Sequence, residues 1–364
     1  MNEGYLTRRV SMLPIKAWGN YFVAIDQPLE KREFTIDNVT DDEVVVQVAG
    51  CGLCHTDLGF MNGSVQTKHE LPLILGHEIS GTVVAAGANF ANLKNKKVII
   101  PAVLPCGECE LCEAERDNIC LQQLMPGNDF HGGFASHIKV PAKFLCELPD
   151  DLGDFELAQL SVVADAITTP YQSLIRSKLK SGDLAIVIGT GGVGLYMVQH
   201  AKNAGATVIA LELDQEKLDT AIDQGADYGI CTRDMDERAI KSEIRGLVKA
   251  HSLPKTQWKV FENSGSAGGQ KVAFSLLSFA GTVGIIGFTM DKLTIRLSNI
   301  MAFDADVFGN WGCRPAYYKP VVQDVLDKKI NLLDNIELYP LSKMNDVLEL
   351  AKAHKLTKRA ILVP

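Results

Sequence analysis

The stretch LAIVIGTGGVGLY, residues 184–196, decides how this chain is read. Leu184 to Ile188 is an uncharged apolar run, suited to a strand buried on both faces. Gly189-Thr190-Gly191-Gly192-Val193-Gly194 follows and fits G-x-G-x-x-G. In such a loop the first glycine permits a tight turn and the second lets a pyrophosphate approach the backbone. The third lets the next helix pack close to the strand. A helix is predicted over 192–204, and phosphates at its N-terminus would meet free N–H groups and a favourable dipole. The glycines alone would also suit an ordinary turn. Their context is more specific. Glu212 stands 18 residues after Gly194, at the end of the next predicted strand, where an acid meets a ribose diol. A carboxylate accepts ribose hydroxyls and repels a 2′-phosphate. Leu213, Asp214 and Gln215 offer no arginine to that phosphate, so NAD is predicted over NADP.

Working outward, strand and helix patterns alternate. Strands are predicted over 184–188, 207–211, 258–262 and 282–286. Helices are predicted over 192–204, 215–224, 238–250 and 267–277, and a further helix with Pro170 in its first turn runs through Leu179. Alternation of this kind implies an α/β fold with a doubly wound parallel sheet. Residues 20–165 have a different texture, rich in strands such as 43–49 and 79–85 and punctuated by Gly, Pro and Asn. After about residue 310 the chain is expected to rejoin that first region, ending in an apolar strand over 360–363. The expected organisation is a β-rich domain over 1–165, a dinucleotide-binding domain over 166–308, and a return to the first domain over 309–364.

The 364 residues are 46% hydrophobic and 22% charged, with net charge −8 and pI about 5.5. Length favours two domains. The acidic balance argues against nucleic acid or an anionic membrane as a main partner. The longest uncharged run, Leu184 to Ala201, reaches the length of a membrane helix. Its glycines make strand, turn and helix the better reading. The first sixteen residues contain no long apolar segment, so no signal peptide is expected. With nine cysteines and no export signal, reduced thiols, metal ligation and a cytoplasmic location are expected.

Two cysteine-containing signatures carry metal chemistry. Cys106, Cys109, Cys112 and Cys120 give C-x2-C-x2-C-x7-C. Four thiolates so close in sequence can close a tetrahedron around one zinc and leave no open position. Two disulfides or an iron–sulfur cluster are the alternatives. The second signature is split: Cys54-His55-Thr56-Asp57, then Gly76-His77-Glu78. Zinc takes S and N ligands, and a catalytic zinc keeps one position open. Cys51-Gly52-Leu53-Cys54 also spells C-x-x-C, but a redox motif would need its own βαβ context.

These signatures, with Gly132-Gly133-Phe134-Ala135, the glycine loop and the segment 309–314, resemble the zinc-dependent medium-chain dehydrogenase/reductase family, the alcohol dehydrogenases. The resemblance runs from about residue 35 to the end and implies a GroES-like catalytic domain beside a Rossmann domain. It implies that Cys54 and His77 hold a catalytic zinc and that Glu78 exchanges with water on it. Asp57 would orient His77, and Thr56 would take the substrate proton. The family's third ligand is commonly cysteine; here Asp165 occupies that place. One thiolate and one carboxylate still balance Zn²⁺, although a helix-terminal carboxylate is the plain alternative. Gly59 stands where many relatives carry a histidine, so proton exit beyond Thr56 is left to the cofactor ribose, His55 or water. Cofactor contacts implied are Gly189, Gly191, Gly192, Gly194, Glu212 and Lys217, with Arg314 on the pyrophosphate; Lys217 equally suits a solvated helix face. Cys51, Cys146, Cys231 and Cys313 are expected to be buried free thiols.

Segments such as CGLCHTDLGF, MPGNDFHGGFASH and SVVADAITTPYQ are similar to family members that oxidise a ring secondary alcohol carried as a CoA thioester. That likeness implies a CoA-thioester substrate, NAD and two zinc ions per chain. Another alcohol, aryl or polyol, is the alternative substrate. A non-catalytic nucleotide-binding protein on the same fold is a third possibility. Relatives are homodimers or homotetramers, and the same is expected here.

Overall fold

A computed structural model describes residues 13–364. The stretch from 1 to 12, where a signal peptide would begin, lies outside the described residues.

Leu184–Ile188 is a strand with every residue buried, at the centre of a six-stranded parallel sheet. Across the sheet the strands run Tyr228–Cys231, Thr207–Glu212, Leu184–Ile188, Lys259–Glu262, Thr282–Ile285 and Asp306–Gly309. In chain order that is 3-2-1-4-5-6, the order of a dinucleotide-binding sheet whose direction of winding reverses beside its first strand. Apolar side chains are buried on both faces. Leu195, Val198 and Leu218 belong to one cluster, and Ile240, Ile244 and Leu276 to the other. The helices start where the sequence supplies caps: Asp214 accepts from Glu216 and Lys217 N–H, and Asp236 from Ala239 N–H. The long uncharged run is therefore strand, glycine turn and the Gly194–Asn203 helix. No helix among the described residues is long and apolar enough to cross a membrane.

Two of the six strands, Tyr228–Cys231 and Asp306–Gly309, are absent from the sequence expectation. Each has only four residues, and neither has a continuous apolar run. The helix after the β-rich part begins at Thr168, two residues before Pro170, and ends at Ser177. Lys178 then takes a left-handed conformation, with φ 55°.

The other large sheet gathers strands from both ends of the chain. Its spine is Glu43–Gly52, flanked on one side by Glu78–Ala86 and on the other by Arg359–Val363, both antiparallel to it. Val44, Val45 and Val46 are fully buried there, as expected of β-branched residues inside a sheet. The 3-10 helix Leu157–Ala164 packs on this sheet closely enough that a Cβ at Gly50 would lie 2.7 Å from the Ala158 carbonyl oxygen.

Candidate active site and metal centres

Pairing between Glu43–Gly52 and Glu78–Ala86 puts Gly52 opposite Glu78. Cys54 lies two residues beyond one strand, and His77 immediately precedes the other. They are 23 positions apart in sequence, and antiparallel register closes that gap. Asp165, at the end of the 3-10 helix, completes the group. Its Oδ2 lies 3.9 Å from Cys54 Sγ and 3.8 Å from His77 Nε2. One ligand atom each from Cys54, His77, Glu78 and Asp165 falls within a 4.8 Å cluster. Soft sulfur, imidazole and carboxylate converging on one point fit a zinc ion with an open position.

Asp57 holds this arrangement from behind. It is fully buried, its Oδ2 accepts the Cys54 N–H at 3.0 Å, and its Oδ1 accepts the Gly76 N–H at 3.1 Å. Oδ1 also faces His77 Nδ1 at 3.5 Å, longer than an ordinary hydrogen bond, and no other partner reaches that nitrogen. Burial pushes the His77 pKa down, but Asp57 and Asp165 outweigh it and hold it well above the ordinary value. Thr56 Oγ1 lies 3.7 Å from Cys54 Sγ, beside the metal position.

Glu78 has a partner that the sequence did not suggest. Both of its carboxylate oxygens accept from Arg359, Oε2 from Nε at 2.8 Å and Oε1 from Nη2. Arg359 opens the last strand, which pairs Ile361 with Gly52 and so delivers the guanidinium beside Glu78. The same guanidinium touches the glycine loop: a Cβ at Gly192 would stand 2.8 Å from Nη1. A Lys-Arg pair ahead of an apolar strand was the only available signal, and it named no partner.

The glycine loop has the geometry its pattern implies. Gly189 has φ +78°, and a Cβ there would lie 2.8 Å from the Ser264 backbone. A Cβ at Gly194 would run into the Gly189 carbonyl. At Gly191 it would meet nothing within 4 Å, which leaves that space for a ligand. Glu212 is fixed to the loop, accepting from Thr190 N–H at 2.7 Å and Leu213 N–H at 2.7 Å. Arg359 lies against the loop at Gly192, the Lys217 carbonyl accepts from the Thr190 hydroxyl, and His55 lies within reach of the charges of Arg359 and Lys217. Desolvation, then the charges of Arg359, His354 and Lys217, hold the His55 pKa below its ordinary value. The two permanent cations, Arg359 and Lys217, suit a pyrophosphate, and His55 held neutral can donate or accept a hydrogen bond there.

Arg314, expected on the pyrophosphate, makes other contacts. Its Nε donates to Asp117 Oδ1 at 2.6 Å, and its backbone N–H donates to Gln172. Those partners occupy it on the cysteine lobe, and Arg359 is the arginine at the loop. Arg233 was also missed. The short strand before it carries its Nε to the Leu213 carbonyl at 3.1 Å, beside the Glu212 corner. Cys51, Cys146 and Cys313 are buried free thiols as expected; Cys231 is only half-buried, at the end of a strand.

The lobe cysteines are all free, which removes the disulfide alternative. Their sulfurs stand 3.5, 3.6, 3.7 and 3.9 Å apart around the group. Zinc–thiolate bonds of about 2.3 Å in a tetrahedron place sulfurs about 3.8 Å apart. Cys120 Sγ also accepts N–H groups from Cys106 and Gln122, both at 3.3 Å. The Cys112 N–H helps hold the Cys109 thiol down at about 6, while desolvation pushes Cys112 up to about 12. Four such sulfurs ionise together only around a cation.

Two family descriptions match the chain: an alcohol dehydrogenase GroES-like domain over residues 40–150 and a zinc-binding dehydrogenase over residues 192–327. An alcohol dehydrogenase of Geobacillus stearothermophilus is 31% identical over 340 residues, covering 92% of this chain and 95% of the relative. The chain belongs to the zinc-binding alcohol dehydrogenases. Sorbitol dehydrogenase of Bacillus subtilis is 27% identical and covers 88% of the chain and 89% of its own length. The crystal structure of the alcohol dehydrogenase from Aeropyrum pernix superposes with TM-score 0.85 at 26% identity, covering 95% of this chain and 100% of that one. The dehydrogenase is thus an oxidoreductase acting on CH–OH groups, with zinc and a nicotinamide dinucleotide as cofactors.

Proposed function

We propose that this dehydrogenase oxidises a secondary ring alcohol to a ketone with NAD, the alcohol being 6-hydroxycyclohex-1-ene-1-carbonyl-CoA in anaerobic benzoyl-CoA degradation. The observation that carries alcohol oxidation is the convergence of Cys54, His77 and Asp165 beside a glycine loop touched by Arg359. The ring and thioester are supported by the likeness of the segments around Cys54, His131 and Asp165. Zinc and NAD, when bound, supply polarisation of the hydroxyl oxygen and a hydride acceptor. Cys54, His77 and Asp165 would hold the metal, and Asp57 would keep His77 oriented. Thr56, beside the metal position, would take the proton of the substrate hydroxyl. His55, Arg359 and Lys217 would face the pyrophosphate.

NAD is preferred because Glu212 ends the second strand of the sheet, where a carboxylate would accept ribose hydroxyls and repel a 2′-phosphate. Arg233 nearby tempers that preference without removing the carboxylate. The cofactor test compares kcat/KM for NAD and NADP; a higher value with NADP would overturn the choice. The substrate test is a panel of the CoA thioester, benzylic alcohols and polyols. Turnover of simple alcohols with none of the thioester would favour an aryl alcohol or polyol dehydrogenase instead. A homodimer or homotetramer is proposed, and the sheet edge at Asp306–Gly309 with exposed Leu297 and Met301 offers a surface for either.

A further inference from the structure

We infer that Thr169 is the positioning residue that makes Asp165 a one-oxygen metal ligand. The inference rests on Asp165 serving as a ligand. A cysteine in that place offers a single donor atom. An aspartate offers two, and its carboxylate can rotate or bind through both oxygens. Binding through both would fill the position a catalytic zinc must leave for substrate.

The structure gives the two oxygens different work. Asp165 Oδ1 accepts the Thr169 hydroxyl at 2.6 Å, the short distance of a hydrogen bond to a charged oxygen. Oδ2 is left toward Cys54 Sγ at 3.9 Å and His77 Nε2 at 3.8 Å. Thr169 is itself buried and fixed. Its N–H donates to the Asp165 carbonyl at 2.9 Å, and its carbonyl accepts from Ser173 at 3.1 Å in the same helix. The hydroxyl therefore comes from the first turn of a helix that begins at Thr168, three residues after the ligand. Replacing a thiolate by a carboxylate at residue 165 is matched, four residues on, by a donor that occupies the surplus oxygen.

The test uses zinc-loaded enzyme, and enzyme carrying Co²⁺ at the catalytic site with zinc kept in the cysteine lobe. Thr169→Val keeps the side-chain shape and removes the donor. It is expected to weaken catalytic-site metal binding about 10- to 100-fold against a competing chelator, with the lobe zinc retained. Its Co²⁺ visible absorption should weaken, as it does when coordination number rises. Thr169→Ser should restore both. In an Asp165→Cys background, Thr169→Val should change neither, since a thiolate has no second oxygen to hold. Wild-type affinity and spectrum in Thr169→Val would overturn the inference. So would an equal loss in the Asp165→Cys background, which would mark Thr169 as merely structural. If Asp165→Cys takes up no metal, the Val and Ser variants in the native background decide. Asp165→Ala retaining both metals would instead remove Asp165 as a ligand, a separate failure.

Discussion

Arg359 and Glu78, 281 residues apart in sequence, form a two-pronged ion pair that joins the metal site to the glycine loop. Neither side chain has appreciable contact with solvent. Space for it is made by Gly52, where any side chain would collide with the Glu78 carboxylate. Burial pushes the Glu78 carboxyl up, and the guanidinium opposes that shift. One arginine therefore neutralises an acid of the metal cluster and presents a nitrogen to the glycine loop.

Removing one partner leaves a buried charge uncompensated. Arg359→Met is expected to lose about 3–5 kcal/mol of stability in denaturant unfolding and to raise the KM for NAD. Arg359→Lys should not restore either quantity, since lysine lacks the planar fork. A wild-type unfolding midpoint with an unchanged KM would show that the pair does neither job.

Gly191 and Gly194 should separate affinity from folding. Gly191→Ala adds a methyl group where no protein atom lies within 4 Å. The thermal midpoint should hold while NADH binding, followed by fluorescence, weakens on the order of tenfold, about 1.4 kcal/mol. Gly194→Ala drives its methyl into the Gly189 carbonyl, so it should lower stability by about 1–3 kcal/mol as well as abolish tight binding. Equal effects from both variants would contradict the distinction.

The cysteine lobe also grips the segment that follows the last strand of the parallel sheet. Asn118 donates to the Trp311 carbonyl at 2.7 Å, the Trp311 indole N–H donates to Gln123 at 2.8 Å, and Arg314 meets Asp117. Cys112→Ser is expected to reduce metal content from about two zinc per chain to about one and to lower stability. It should also shift tryptophan emission, and Trp311→Phe should abolish that shift. Two zinc ions retained in Cys112→Ser, or one lost with emission unchanged, would count against this role.

His200 predicts an acid limb of stability. It is buried against Tyr171, and its Nε2 lies 2.9 Å from the Ile167 carbonyl, so that nitrogen donates its N–H. Desolvation lowers its pKa to about 4, against 6.5 for an ordinary histidine. The unfolded chain therefore binds a proton first as pH falls. The stability is fully present above about 6.5 and is lost progressively toward 4, by roughly 3 kcal/mol in all. His200→Gln should flatten that part of a stability–pH curve; an unaltered slope would show that other groups carry it.

The sequence by itself determined the local chemistry. Glycines 189, 191 and 194 after an apolar strand and four closely spaced cysteines each concern neighbours along the chain, whereas Cys54 and His77 were marked by resemblance and are joined only by antiparallel register. The geometry of the glycine loop and of the cysteine quartet follows from backbone rules and close spacing, so both were legible without tertiary structure. The sheet order and both short strands were not. Tyr228–Cys231 and Asp306–Gly309 are strands because their neighbours supply hydrogen-bond partners, not because of any pattern of their own. The same limit applied to the arginines. Arg314 and Arg359 are both cations near the end of a long chain, and nothing local says which one meets the cofactor loop. The antiparallel pairing of 359–363 with 43–52 decides it, by bringing Arg359 to Glu78 across 281 residues. An ion pair is set by distance in space, and only the folded sheet fixes that distance.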